Sequence, residues 1–142
     1  MNNETDGLTD IAAQLCLRVA GMSRLADAAA KDLLEAFADV HGIDPAQYHW
    51  WEGLKEARCL TYGSLVDEWY THVSELLRKM GGGVFLVVTD DEPFPWPVLK
   101  IDDSTPIPDV LGGMQFFEYF VFSSDFFSFF FDTHENELIS MP

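Results

Sequence analysis

Basic residues are scarce in this sequence. Its 142 residues include 8 lysines and arginines against 24 aspartates and glutamates, a formal net charge of −16 at pH 7. A protein with this balance repels nucleic-acid backbones and anionic membrane surfaces, and it meets basic partners faster. We therefore expect a basic protein partner and no interaction with nucleic acid or membrane. The charge could also serve only to keep a phenylalanine-rich protein in solution.

Cysteines and long apolar runs are scarce as well. Cys16 and Cys59 are too few for a disulfide framework. The start, MNNETDGLTD, has neither the basic region nor the apolar stretch of a signal peptide. Glu118 and the Ser123–Asp125 stretch interrupt the longest apolar run before it reaches the length of a membrane span. These absences predict a cytoplasmic protein.

Motifs of known chemistry are missing too. Glycines 81–83 follow a predicted helix and precede a predicted strand, whereas a phosphate-binding loop has the opposite order. No serine lies in a nucleophile-elbow motif, and nothing in the sequence brings a cysteine together with His41, His49 or His72. We expect neither an enzyme nor a cofactor.

One acidic stretch near the C-terminus raises the question of a metal. DTHENE offers Asp132, His134, Glu135 and Glu137 as oxygen and nitrogen ligands. The spacing matches no helical zinc motif, and a solvated loop explains such a stretch equally well. We predict no metal here, and an enzyme or metal site around His134 stays the least favoured alternative.

The residues that are present predict one α+β domain over 1–142, with residues 1–8 disordered. Apolar residues recur at helical spacing before position 81, and Gly42 and Gly81 are placed to end helices. From Gly83 the pattern changes to strands, beginning with VFLVV. The order predicts N-terminal helices packed on a C-terminal antiparallel sheet of about four to five strands. The prolines in EPFPWPVLKIDD predict an edge strand.

Phenylalanine dominates the predicted hairpin FFEYFVFSSDFFSFFFD at 116–132. Alternation gives it one wholly apolar face, which helices would cover, and a second face that is aromatic with a few polar breaks. The second face is either a further core surface or an exposed interaction site, and we favour core.

Negative charge is concentrated in the second half of the chain. Seven of the eight basic residues lie at or before Lys79, whereas eleven acidic residues lie from Asp90 onward. We expect these acids to form one docking surface for a cationic partner, with two aromatic residues of the proline-rich stretch as anchors. The candidate partner-binding residues are Asp90, Asp91, Glu92, Phe94, Trp96, Asp102, Asp103, Asp109, Glu135 and Glu137.

The segment EYFVFSSDFFSFFFDTHENELI resembles the end of small bacterial α+β domains found in polymorphic-toxin and contact-dependent growth inhibition loci. It covers about a sixth of the chain. Immunity proteins of these systems are commonly acidic single domains that bind and block a toxin directly. The resemblance implies an immunity-type inhibitor of a basic toxin, such as a nuclease, and it implies no catalytic residues. The alternative is a protein- or peptide-binding adaptor that uses an aromatic surface.

Overall fold

The computed structural model describes residues 3–63, 66–81, 83–133 and 135–141. These residues form an α+β structure with four helices and a seven-stranded sheet. The helices are α1 Asn3–Arg18, α2 Asp27–His41, α3 Val66–Met80 and α4 Ile107–Gly112, with a 3-10 turn at Trp50–Gly53. The strands are β1 Met22–Arg24, β2 Arg58–Thr61, β3 Val84–Val88, β4 Val98–Ile101, β5 Tyr119–Ser123, β6 Phe129–Asp132 and β7 Glu137–Ser140.

Every strand pairing in the sheet is antiparallel, and the strand order is β1-β4-β3-β5-β6-β7-β2. The α+β class is confirmed, but the expected four to five strands were too few. The extra strands, β1 and β2, come from the N-terminal half and pair with β4 and β7. They were missed because they have only 3 and 4 residues, most of them exposed.

Two further expectations are corrected. Strand β4 is not an edge strand, since it pairs with β1 on one side and β3 on the other. The prolines that suggested an edge precede the strand, and Pro97 joins the pairing only through its carbonyl, which accepts from Val88 N–H. Helix α1 begins at Asn3, so residues 3–8 are helical where disorder was expected. Residues 1 and 2 lie outside the described residues.

The centre of the sheet is buried on both faces. Phe120, Phe122, Phe129 and Phe131 share one face, and Tyr119, Val121 and Phe130 share the other. All seven are 3% exposed or less, so the prediction that both faces are core is confirmed. Two phenylalanines just outside the strands, Phe116 and Phe127, remain 51% and 69% exposed.

Aromatic packing explains how the phenylalanine-rich strands are covered. Phe37 of α2 contacts Phe120, Phe122 and Phe129, with ring centroids 4.8–6.1 Å apart. On the opposite face Trp69 of α3 reaches Asp132, and α3 packs against α4. Gly42 ends α2 in the left-handed conformation, as its position predicts. No helix among the described residues is long and apolar enough to cross a membrane.

Candidate functional site

Four connecting segments meet at the end of the sheet where β3 finishes and β5 begins. They are the 3-10 turn and the residues before it, the β3–β4 turn, the residues leading into β5, and the β6–β7 turn. The backbone N–H groups of Thr89 and Asp90 both donate to the carbonyl of Glu118, at 3.1 and 2.8 Å. Tyr62 N–H donates to the Asn136 carbonyl at 3.0 Å. These bonds join the β3–β4 turn to the residues leading into β5, and the β6–β7 turn to the residues after β2.

This end of the sheet carries eight carboxylates, and we call it the acidic end. Stretches 48–54, 89–97, 114–119 and 132–137, which build it, contain no lysine or arginine. Two of its carboxylates are buried, Glu118 and Asp132, and the others are exposed or half-buried. The residues are Glu52, Asp90, Asp91, Glu92, Glu118, Asp132, Glu135 and Glu137.

Asp132 anchors this end to the interior. Its carboxylate accepts hydrogen bonds from the Tyr62 hydroxyl at 2.6 Å and from the Trp69 indole at 2.7 Å. Burial raises the pKa of Asp132, although these two hydrogen bonds lower it in part. The buried hydroxyl of Tyr119 faces the same carboxylate and makes no hydrogen bond of standard geometry with the described residues. Asp132 therefore joins β6 to α3 and to the residues after β2.

His49 connects two acidic segments at the surface. Its Nε2 lies 3.0 Å from Asp91 Oδ1, and its Nδ1 lies 2.9 Å from Glu52 Oε1. Burial lowers the pKa of His49 and is the largest single effect. The hydrogen bonds to Asp91 and Glu52 and the charge of Glu118 together outweigh it, so the pKa is raised. The Tyr48 hydroxyl donates to the backbone carbonyl of Asp91.

Five of the predicted acids lie together at the acidic end: Asp90, Asp91, Glu92, Glu135 and Glu137. Asp90 and Asp91 are in the left-handed conformation, with φ of 40° and 57°, which aspartate tolerates better than most residues. Burial raises the pKa of Asp90. The structure therefore brings the β3–β4 turn and the β6–β7 turn into one surface, although about 40 residues separate them in the sequence.

Three other predicted acids lie elsewhere, so the expected single patch is corrected. Asp102 and Asp103 follow β4, and the carbonyl of Asp102 accepts from Gly83 N–H at the start of β3. Strand β3 separates them from the acidic end by about 14 Å, at about 3.4 Å per residue. Asp109 lies in the first turn of α4 and hydrogen-bonds Tyr70 of α3.

The two predicted aromatic anchors belong to the interior or to its margin. Trp96 is only 5% exposed, packs against Trp50 with ring centroids 4.9 Å apart, and donates to the Glu92 carbonyl. Little of the ring is therefore left exposed for contact with a partner. Phe94 stacks on Trp50 at 5.4 Å and is half-buried.

Aromatic surface at the acidic end comes instead from residues that the sequence did not single out. Tyr48 is 47% exposed and lies beside Asp91, and Phe116 is 51% exposed two residues before Glu118. His49 and Glu52 belong to the same surface. No sequence motif marks these residues, because antiparallel pairing of distant segments brings them together.

The metal ligands considered in DTHENE do not converge as a set. In the β6–β7 pairing, Asp132 points to the α3 face of the sheet and Glu137 to the opposite face. Glu137 accepts from the Cys59 thiol at 3.1 Å. His134 lies outside the described residues.

An open groove of about 550 Å³ borders the acidic end beside β1. Phe94, Pro95 and Trp96 form part of one wall, and Arg24 and Lys31 lie on the opposite side. Arg24 forms an ion pair with Asp27 at 3.3 Å.

Comparison with known proteins returned nothing: no family model, no curated protein and no solved structure matches the chain. The functional assignment therefore rests on the geometry of the acidic end and of the groove.

Proposed function

We propose that this protein is an immunity-type inhibitor, which binds a basic toxin domain through its acidic end and blocks it. One observation carries the proposal. Four segments far apart in sequence place eight carboxylates at one end of the sheet, and none of these segments contains a lysine or arginine. Such an arrangement has no benefit for folding, since like charges repel, and it favours a cationic partner.

The chemistry of the partner follows from this charge. A nuclease domain needs a basic surface to hold a phosphate backbone. An inhibitor with clustered carboxylates competes for that surface, and its field accelerates encounter. The exposed rings of Tyr48 and Phe116 supply the aromatic contacts that contribute most to the affinity of protein interfaces. The resemblance to immunity proteins in EYFVFSSDFFSFFFDTHENELI supports the same role.

The test uses two double variants with the same change in net charge. Glu135→Lys/Glu137→Lys reverses charge at the acidic end. Asp39→Lys/Asp102→Lys does so at exposed positions on α2 and after β4. The purified product of the adjacent open reading frame is the partner tested, and binding kinetics are measured at several salt concentrations. We expect the acidic-end variant to lower the association rate at least tenfold and the control to lower it much less.

Equal effects of the two double variants would show that net charge acts, rather than the acidic end. An association rate that does not change between low and high salt would contradict electrostatic docking altogether. A growth assay in cells that express the toxin domain adds the functional readout: the wild type should rescue growth, and the Glu135→Lys/Glu137→Lys variant should not.

The groove supports a second candidate function, that of a peptide-binding adaptor. Its wall of Phe94, Pro95 and Trp96 is apolar, and Arg24 and Lys31 at its side could hold an acidic peptide. Phe94→Ala would then abolish partner binding, whereas Glu135→Lys/Glu137→Lys would leave it unchanged. The immunity proposal predicts the reverse pattern.

A further inference from the structure

We propose that His49, Asp91 and Glu118 form a site for a divalent first-row transition-metal ion, which Zn²⁺ fits best. The three residues come from three segments: the stretch before the 3-10 turn, the β3–β4 turn, and the residue before β5. One ligand atom from each lies within 4.8 Å of the other two. The proposal goes beyond the inhibitor function and does not depend on it.

The ligand atoms are close enough for an ion to replace the proton that His49 shares with Asp91. His49 Nε2 and Asp91 Oδ1 are 3.0 Å apart. Two ligands of one tetrahedral zinc lie about 3.3 Å apart, because each bond is about 2.0–2.1 Å long. A small side-chain rotation of Glu118 completes a set of three protein ligands. The remaining position would be filled by water, as in zinc sites with an open coordination position.

A second carboxylate orients the histidine. Glu52 Oε1 lies 2.9 Å from His49 Nδ1, so this nitrogen donates to Glu52 and Nε2 is directed at Asp91. A carboxylate that holds the far nitrogen of a ligating histidine is a regular feature of metal sites, since it fixes the ring and increases its basicity. The Trp51 ring stacks on His49 at 4.3 Å and restricts its rotation further.

The backbone holds the carboxylates in place as well. Thr89 and Asp90 both donate to the Glu118 carbonyl, so the turn that carries Asp91 cannot move independently of Glu118. Glu118 is 4% exposed, whereas Asp91 is exposed. An ion would therefore have an interior ligand on one side and solvent access on the other.

The ligand types select the class of ion. Magnesium and calcium take six or more ligands, usually all oxygen. Here an imidazole accompanies two carboxylates, a combination that suits zinc, iron and manganese. The acids of the opposite end lack this combination: Asp103 and Asp125 accept from backbone N–H groups in their own turns, and the nearby His41 contacts the Phe126 carbonyl. The histidine distinguishes the proposed site from acidic surface in general.

Isothermal titration of the chelator-treated full-length protein with ZnCl₂ tests the proposal. We expect one ion per chain, and at least 100-fold weaker binding in His49→Ala, Asp91→Asn and Glu118→Gln. Glu52→Gln should weaken binding 10- to 100-fold, the range typical of residues that orient a ligand. His72→Ala removes a histidine from α3 and should leave binding unchanged. MgCl₂ should not compete at equal concentration.

Failure to bind Zn²⁺, or unchanged affinity in Asp91→Asn, would overturn the proposal. Asp91→Asn keeps the size of the side chain, so the test stays decisive even if His49→Ala does not fold. Titration with Co²⁺ gives a second readout, since absorption bands typical of low coordination number should appear in the wild type and be absent in Asp91→Asn. These measurements need no toxin partner, and a negative result leaves the inhibitor proposal open.

Discussion

The two ends of the sheet differ in charge although both are acidic in sequence. At the acidic end the four segments contain eight carboxylates and no lysine or arginine, and Arg24 at the end of β1 lies at the margin of this end, where it pairs with Asp27. At the other end, Arg78 and Lys79 in the last turn of α3 accompany Asp102 and Asp103. We call this the mixed-charge end. The asymmetry along the sequence is therefore an asymmetry between two ends of one sheet.

The difference extends to what the carboxylates do. At the mixed-charge end, Asp103 and Asp125 are bonded within their own turns, which lowers the pKa of each because hydrogen bonds favour the charged form. At the acidic end, burial raises the pKa of Asp90 and Asp132. One end uses its acids to form turns, whereas at the other end two acids, Asp90 and Asp132, are held against a cost of desolvation. Groups held at such a cost are typical of functional surfaces.

The largest expected effect is a difference in stability between variants at the two ends of the sheet. Asp132→Ala should lower the free energy of unfolding by about 3 kcal/mol, because it leaves the Tyr62 hydroxyl and the Trp69 indole buried without an acceptor. Asp125→Ala at the mixed-charge end should cost clearly less, since its partners are near the surface and water can replace the carboxylate. Urea unfolding of both variants measures the difference. Equal losses would contradict the comparison.

The sequence predicts the centre of the sheet well and its margins poorly. Strands β3, β5 and β6 are continuous apolar runs, whose burial follows from composition alone. Strand β2 contains Arg58 and Cys59 and is exposed along its length, so only its pairing with β7 makes it a strand. Local patterns carry no information about such pairing.

The candidate site, like the sheet, could be predicted only in part from the sequence. Asp90–Glu92 and Asp102–Asp103 are near each other in sequence and were assigned to one patch, but the length of β4 separates them. Glu118 and His49 are 69 residues apart, and only the fold places them near Asp91. Nearness in sequence therefore gave a wrong grouping of the acidic residues. The long sequence separation between His49 and Glu118 meant that the second group of residues could not be recognised from the sequence.

A smaller expected effect is the pH dependence of stability, which compares a variant at the acidic end with one at the mixed-charge end. The folded-state pKa of Asp132 is raised, so between that value and the unfolded value of about 3.9 the native protein binds more protons than the unfolded chain. Above the folded pKa the buried carboxylate is charged and lowers the stability of the native protein. Protonation removes this cost as the pH falls. The stability of the wild type minus that of Asp132→Asn should therefore increase as the pH falls from 7 towards 4.

The groups that face Asp132 do not reverse this sign. Tyr62 and Tyr119 have raised pKa values and remain neutral throughout the range. The charge of Glu118 raises the pKa of Asp132 and so acts in the same direction as burial. Asp102→Asn at the mixed-charge end serves as the control and should show no such trend. If the stability of the wild type minus that of Asp132→Asn stays constant or decreases on acidification, the assignment of strain to Asp132 is wrong.

The smallest expected effect tests repulsion at the surface of the acidic end. Glu135→Gln removes one exposed charge from a group of like charges, so it should raise the free energy of unfolding by about 0.5 kcal/mol at low salt. Because salt screens exposed charges beyond about 10 Å, the gain should largely disappear in 0.5 M NaCl. Asp102→Asn, at the end of the sheet that also carries Arg78 and Lys79, should give a smaller gain at low salt. If Glu135→Gln instead destabilises the protein at low salt, the acids at this end are not repelling one another, and the contrast between the two ends would be one of composition without energetic consequence.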